Sequence, residues 1–342
     1  MNILSHLNAL SYLWMIVFIM IVSGIAKEHN LFSPLFNYIK ETFKSNKFVL
    51  VILSSIGGIL PIEGRVTLSA GLLDTITPKN TESRKKYGII DYLSTHHYYM
   101  WSPLEKTVIL PMAVFGLTYF AWLKIIWPLL FVSLLFISWY IYSQIKDEDI
   151  SIEKSEFKMS AVIRNIFPII LSVSLYIQSN NFLLCFGLLA LYYMIITQTW
   201  NYKKILSYIN WEVIITVGVV IILGSVFKSY DKDFQLYIKE LGLDPSSAYT
   251  ILVFSLLGFI FSFLMGSSGK FVAMAILISQ LLGNNYFLWF FAVDYVGYLI
   301  SPTHKCVMIG NRYFNTPLVE YYKVLLIWSF ILLLTVGIIT FI

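Results

Sequence analysis

A ten-residue motif occurs twice in this chain, about two hundred positions apart, and both copies interrupt long apolar stretches. The first copy is Tyr-Met-Trp-Ser-Pro-Leu-Glu-Lys-Thr-Val at 99–108, and the second is Tyr-Leu-Ile-Ser-Pro-Thr-His-Lys-Cys-Val at 298–307. A Ser-Pro step breaks helical hydrogen bonding, and a lysine is costly inside a bilayer. A polar, helix-breaking motif in both halves of an apolar chain is typical of transporters that are built from structural repeats.

Composition indicates that these apolar stretches lie in a membrane. Hydrophobic residues make up 58% of the chain and charged residues 13%, whereas soluble proteins carry about 25% charged residues. We therefore predict an all-α polytopic membrane protein. The net charge of +5 does not indicate a nucleic-acid partner, because the basic residues lie in short loops between apolar runs. Cys185 and Cys306 both lie in apolar segments, so no disulfide framework is expected.

Apolar runs of about 20 residues predict helices that cross the bilayer. The predicted spans are 8–26, 107–120 with its upstream extension, 122–143, 161–178, 181–200, 211–228, 286–310 and 321–342. Two other regions, 48–76 and 249–282, consist of short apolar runs that meet at a glycine-rich polar tip. Each is interpreted as a re-entrant hairpin, whose tip must be buried in protein or line a water-filled cavity. The alternative is a pair of ordinary helices joined by an outside loop.

Basic residues predict the orientation of the chain in the cell membrane. The loops that flank the first hairpin hold the heaviest basic cluster, so we expect them in the cytoplasm and the N-terminus outside. Counting spans onward places the acidic loop 229–248 and the C-terminus outside as well. Residues 1–150 and 206–342 then share one order of elements (helix, hairpin, interrupted transmembrane helix, helix) in opposite orientations, and 151–205 form two linking helices. This arrangement predicts inverted repeats.

Helix breaks and hairpin tips predict a substrate site. Pro103 and Pro302 are expected to interrupt their helices, and Gly64 and Gly269 mark the hairpin tips. Hydroxyl and cationic side chains at these places form the predicted substrate site: Ser102, Lys106, Arg65, Ser267, Ser268, Lys270, Ser301, Thr303 and Lys305. Their charge favours an anionic solute, unless nearby carboxylates neutralise it. The alternatives are prolines that only bend the helices for packing, and cations at Arg65 or Lys270 that extend to an interface.

Titratable side chains near the same places are predicted to couple ions to transport. They are Glu63, Asp91, His96, His97, Glu105, Asp294 and His304. The carboxylates are candidate partners for the lysines or ligands for Na⁺, and His304, which stands where the first copy has Glu105, fits proton coupling. The other interpretation is that the histidines only form hydrogen bonds in a polar interior. Because zinc, phosphate-binding and Cys-x-x-Cys motifs are lacking, no cofactor is expected beyond Na⁺ as a coupling ion.

Three patches of the sequence resemble one integral membrane family, known as domain of unknown function 401. They are Leu-Pro-Ile-Glu-Gly-Arg at 60–65 through Ser69-Ala70, His96-His97 before Ser102-Pro103, and Gly-Tyr-Leu-Ile-Ser-Pro-Thr-His at 297–304. The resemblance implies membership in the ion transporter superfamily, with an elevator-type carrier of paired hairpins and interrupted helices that often forms a homodimer. The family pattern places Arg-His with an aromatic before the first break, whereas this chain has Thr95-His96-His97.

These expectations combine in one function: a secondary active transporter of a small anionic solute, coupled to Na⁺ or H⁺, and not an enzyme. Two other classes stay open. One is an intramembrane enzyme that uses His96, His97 and His304 around a metal or as acid–base groups. The other is a membrane subunit that anchors a partner without transporting a solute. The expected partners are the solute and the lipid bilayer.

Overall fold

The computed structural model describes residues 3–43, 46–59, 69–70, 73–74, 81–146, 157–179 and 181–342. Within these ranges the chain consists of helices, turns and loops, without a strand, as the all-α prediction expects. The α-helices are α1 Ile3–Glu28, α2 Ser33–Thr42, α3 Asn46–Ile59, α4 Thr81–His96, α5 Lys106–Phe115, α6 Tyr119–Gln144, α7 Met159–Ser179, α8 Phe182–Thr197, α9 Tyr202–Ser207, α10 Trp211–Ser229, α11 Asp231–Glu240, α12 Ala248–Met265, α13 Ser268–Leu282, α14 Phe287–Leu299, α15 Lys305–Phe314 and α16 Leu318–Phe341.

Four helices, α6, α7, α12 and α16, are long and apolar enough to cross a membrane. A fifth candidate is α1 together with α2, which follows it after a bend of 70°. Large apolar side chains on the four single helices are exposed, among them Trp127, Phe167, Leu256 and Phe330. Such a surface is stable against lipid rather than water. The chain is therefore a membrane protein.

Polar residues that flank the apolar runs fix where several helices begin. The side chains of Thr118, Asn181, Asn210 and Ser247 each accept a hydrogen bond from a backbone N–H in the first turn of α6, α8, α10 and α12. Without such an acceptor, these N–H groups would lack an intrahelical partner. The apolar runs predicted these helices within a few residues of their observed bounds, and the capping side chains account for where the helices begin.

Two short helices, α2 and α11, lie in segments that the sequence analysis treated as loops. Pro34 stands at the start of α2, which buries Phe36 and Ile39. In α11, Ile238 is buried and Phe234 stacks on Phe227 of α10 at 4.6 Å. Both helices have one apolar face and one polar face, so a search for continuous apolar runs overlooks them.

The centre of the molecule holds the two interrupted helices, α4–α5 and α14–α15. All residues in 87–100 are buried, and so are all in 290–299. The two interrupted helices run antiparallel, with residue numbers rising on one while they fall on the other. Arg84 donates to the Tyr313 carbonyl at 2.8 Å near one end, and the rings of Phe115 and Phe287 lie 5.0 Å apart near the other. The two copies of the motif therefore lie side by side, and the second is partly exposed.

Candidate functional site

The two copies of the repeated motif share a turn at the Ser-Pro step, although the first follows a 3-10 helix and the second follows an α-helix. In the first, α4 passes through a 3-10 turn at His97–Met100 and the Glu105 N–H donates to the Ser102 carbonyl at 3.0 Å. In the second, the His304 N–H donates to the Ser301 carbonyl at 3.2 Å. Glu105 and His304 are both extended and stand just before the next helix. The Ser-Pro steps therefore interrupt both helices, as predicted.

A serine hydroxyl stabilises each helix break, that is, residues 101–105 between α4 and α5 (the first break) and residues 300–304 between α14 and α15 (the second break). The Leu104 N–H donates to Ser102 Oγ at 3.4 Å, and the Thr303 N–H donates to Ser301 Oγ at 3.3 Å. Serine is suited to this place because its side chain can replace a backbone acceptor that the proline has displaced. Ser102 and Ser301 thus have a structural role, whatever else they bind.

The breaks contact each other through tyrosine hydroxyl groups. Several hydrogen bonds cross between the interrupted helices, among them Tyr298 Oη to Tyr99 Oη at 2.8 Å, Tyr295 Oη to the His96 carbonyl at 2.8 Å, and Tyr92 Oη to the Leu299 carbonyl at 2.6 Å. The first joins equivalent residues of the two motif copies. These tyrosines are buried, so each bond satisfies groups that water does not reach. Tyr99 and Tyr298 are the first residues of the two motif copies, and the sequence alone predicts no role for them.

The turn between α12 and α13 packs against the second break. Ser301 Oγ donates to the Phe263 carbonyl at 2.5 Å, and Thr303 Oγ1 donates to the Leu264 carbonyl at 3.2 Å. Gly266 adopts a left-handed conformation with φ +52°, and a Cβ built there would lie 2.3 Å from Thr303 Oγ1. Glycine is required at this position because any side chain would overlap the break.

The same turn also faces the first break. A Cβ built on Gly269 would lie 3.5 Å from Cδ and Cε of Lys106 and 4.0 Å from its Nζ. Lys106 therefore lies across the start of α13 at Gly269. The two residues before Gly269 are Ser268, which is buried, and Ser267, which is partly exposed. The Lys270 ammonium instead contacts Met265 Sδ at 3.8 Å. One turn thus brings together residues from both breaks.

The second break is more open than the first. Pro103 is buried and Lys106 is partly buried, whereas Pro302, Thr303 and Lys305 are exposed. Lys305 consequently does not share the environment of Lys106, although the two occupy equivalent positions. Glu63, Gly64 and Arg65 of the first hairpin lie outside the described residues.

Two of the three predicted histidines meet. His96 Nε2 lies 3.2 Å from His304 Nε2. His97 takes another direction, and its Nδ1 accepts a hydrogen bond from Trp101 Nε1 at 2.9 Å. The histidines therefore form a central pair and a separate single residue, rather than a cluster of three.

Two aspartates are buried without hydrogen bonds. Within the part of the chain that the structure describes, neither carboxylate oxygen of Asp91 or Asp294 has a partner, although Ser69 lies near Asp91. Asp294 packs against α12, where a Cβ built on Gly258 would lie 2.2 Å from its Oδ1. The predicted pairing of a lysine with Asp294 is therefore wrong for the described residues. An unpaired acidic group in a membrane interior usually marks an ion or proton path.

A surface pocket opens elsewhere, where the end of α5 meets the α13–α14 connection. It is lined by Phe115, Leu117, Ile125, Gln235, Gln280, Gly283, Asn284 and Phe287. These residues include none of the predicted site residues. This pocket is therefore separate from the predicted substrate and ion-coupling residues at the two breaks.

Comparison with known proteins gives a family but no activity. The family model described as Protein of unknown function (DUF401) matches residues 2–342, which is nearly the whole chain. No curated protein matches this chain.

Proposed function

We propose that this chain, which belongs to the DUF401 family, is a secondary active transporter of a small anionic solute. The observation that supports this most is the meeting of the two breaks beside the α12–α13 turn. Ser301 and Thr303 bond to that turn, and Lys106 lies across it from the other break. Secondary transporters bind their substrates where interrupted helices and their repeats meet.

An inverted-repeat architecture explains the antiparallel arrangement of the interrupted helices. In this proposal residues 1–150 and 206–342 are repeats of opposite orientation, and 151–205 link them. Two helices related by such an inversion run antiparallel, as α4–α5 and α14–α15 do. The multi-pass orientation in the cell membrane, with both termini outside, and a homodimer follow from the same proposal and from the superfamily.

The start of α13 is the proposed place for the anionic group of the solute. The first turn of a helix presents backbone N–H groups and the positive end of the helix dipole, which favour an anion. Lys106 adds a full positive charge there, and Ser267 and Ser268 add hydroxyl groups. Ser102 supports the backbone that carries Lys106, and Arg65 remains a candidate from the sequence. Ser301 and Thr303 hold the turn in place.

The buried aspartates are the proposed coupling residues. An ionised carboxylate in a membrane interior needs a cation or a proton. Asp294 lies against α12, one arm of the hairpin whose turn contacts both breaks. Binding of Na⁺ or H⁺ at this carboxylate would therefore stabilise the packing of α12 on α14 and, through it, the position of the turn. Movement of this unit against the lipid-facing helices would alternate access, as in an elevator-type carrier.

The lysine assignment makes a direct prediction. In proteoliposomes, Lys106→Met should reduce uptake of the anion about tenfold or more, because a hydrogen bond to a charged group contributes about 1.5–3 kcal/mol. A thermal-shift screen of organic anions, with and without Na⁺, identifies the solute to be used. Lys270→Met is the matched control, because Lys270 is also in the first turn of α13 but contacts Met265. Equal loss in both variants, or no loss at Lys106, would contradict the proposed site.

The enzyme alternative receives less support. It requires the three histidines to act together, and His97 bonds to Trp101 instead of joining His96 and His304.

A further inference from the structure

Three potential metal ligands converge where the interrupted helices cross. One nitrogen of His96, one nitrogen of His304 and the sulfur of Cys306 all lie within 4.8 Å of one another. Both histidines are buried and Cys306 is half-buried. His96 ends α4, while His304 and Cys306 lie at the start of α15. The group therefore joins the two breaks.

The hydrogen bonds of the histidines indicate which nitrogens carry protons. His96 Nδ1 lies 2.6 Å from the Tyr92 carbonyl, which can only accept, so this nitrogen donates. His304 Nδ1 lies 3.2 Å from the Tyr298 carbonyl and 2.9 Å from the Tyr92 hydroxyl. That hydroxyl donates to the Leu299 carbonyl at 2.6 Å, so it accepts from His304. Both Nε2 atoms then present lone pairs to each other.

Two lone pairs that face each other in a buried site repel unless a cation lies between them. In tetrahedral zinc coordination, with Zn–N bonds near 2.0–2.1 Å, two ligand nitrogens are roughly 3.3 Å apart, and here they are 3.2 Å apart. Histidine ligands also usually donate their other N–H to a carbonyl or similar acceptor, as both do here. We propose that His96, His304 and Cys306 bind a thiophilic metal ion of the Zn²⁺ class.

The ligand types select this class of ion. Imidazole and thiolate favour Zn²⁺ and similar ions, whereas Na⁺ and Mg²⁺ favour oxygen ligands. Cys306 also lies in the first turn of α15, where the positive end of the helix favours an anionic ligand. In the first motif copy the equivalent residue is Thr107, whose hydroxyl donates to the Tyr99 carbonyl at 2.5 Å. Of the two motif copies, the second alone supplies a thiolate ligand, Cys306. The metal proposal does not depend on the transport proposal.

The first test uses the full-length wild-type protein in detergent, stripped with a chelator and titrated with Zn²⁺ or Co²⁺. One equivalent should bind, and the Co²⁺ form should show the absorption of thiolate-to-metal charge transfer. Binding without that absorption would exclude Cys306 as a ligand. Failure to bind one equivalent would overturn the proposal and leave a proton shared between the two imidazoles.

The second test compares matched variants. Cys306→Ala and His96→Gln should each weaken Zn²⁺ binding about a hundredfold or more, because loss of even an outer partner of a metal ligand costs about 10- to 100-fold. Cys185→Ala and His29→Gln change the same residue types away from the site and should leave binding unchanged. Equal affinity in Cys306→Ala and Cys185→Ala would overturn the proposal. If the site variants are not monodisperse, the Co²⁺ absorption of the wild-type protein decides alone.

Discussion

Replacing Gly266 with alanine should lower the apparent melting temperature in detergent more than the same change at Gly116, and should stop uptake. Gly266 has φ +52°, where a non-glycine residue costs about 1–2 kcal/mol. Its new Cβ would also lie 2.3 Å from Thr303 Oγ1 and 3.0 Å from the Thr303 carbonyl carbon. Since the second break must move to relieve this overlap, we expect the free energy of unfolding to fall by about 1–3 kcal/mol more.

Gly116 is the matched control for this prediction. It also has a left-handed conformation, with φ +68°, but a Cβ there meets nothing within 4 Å. Gly116→Ala should therefore be destabilised only by the cost of the left-handed backbone conformation, and it should retain uptake. Equal destabilisation by the two variants would mean that the α12–α13 turn does not pack on the second break as described.

Asp294→Asn should abolish the dependence of uptake on the coupling ion while raising thermal stability. A buried carboxyl group that lacks a partner must be protonated or bind a cation to remain in an apolar interior, and an amide avoids that cost, so we expect the substitution to stabilise the fold, even though the new amide is itself left with unsatisfied groups. The two effects have opposite signs because a residue kept for function often destabilises the fold. Both can be measured on one preparation, by uptake with imposed Na⁺ and H⁺ gradients and by thermal unfolding.

Asp91→Asn, made in parallel, tests which aspartate couples. Asp91 is equally buried and has Ser69 near its carboxylate, but it lies on α4 and not against α12. We expect ion dependence to persist in this variant if Asp294 alone binds the ion. Ion-dependent uptake that survives in Asp294→Asn would remove Asp294 from the coupling role.

Much of the fold follows from the sequence, because apolar length and helix-breaking residues act locally. The Ser-Pro steps at Ser102 and Ser301 interrupt helices wherever they occur, and polar residues such as Asn210 mark helix starts. The contacts between helices do not follow in this way. One sequence gives the side chains on each helix but not the register in which two helices pack. The meeting of His96 with His304 was therefore only one open alternative, and the packing of Asp294 against Gly258 was not predicted.

The candidate site was predicted in part for the same reason. Lys106 and the serines of the α12–α13 turn were selected by their chemistry, and Lys106 lies against Gly269, which directly follows those serines in the chain. Lys305 was selected by its equivalence to Lys106, but it is exposed. Cys306 was treated only as an apolar residue, because its spacing from His304 forms no known metal motif and its second histidine comes from a distant helix.

The hydrogen bond between Tyr298 and Tyr99 has a consequence for the equivalence of the two motif copies. Two hydroxyl groups that bond to each other share a single bridging proton, and only one of them can donate it. Even if the two halves had identical sequences, they would therefore be chemically different at this contact. Reversal of the donor would exchange their roles without moving a heavy atom.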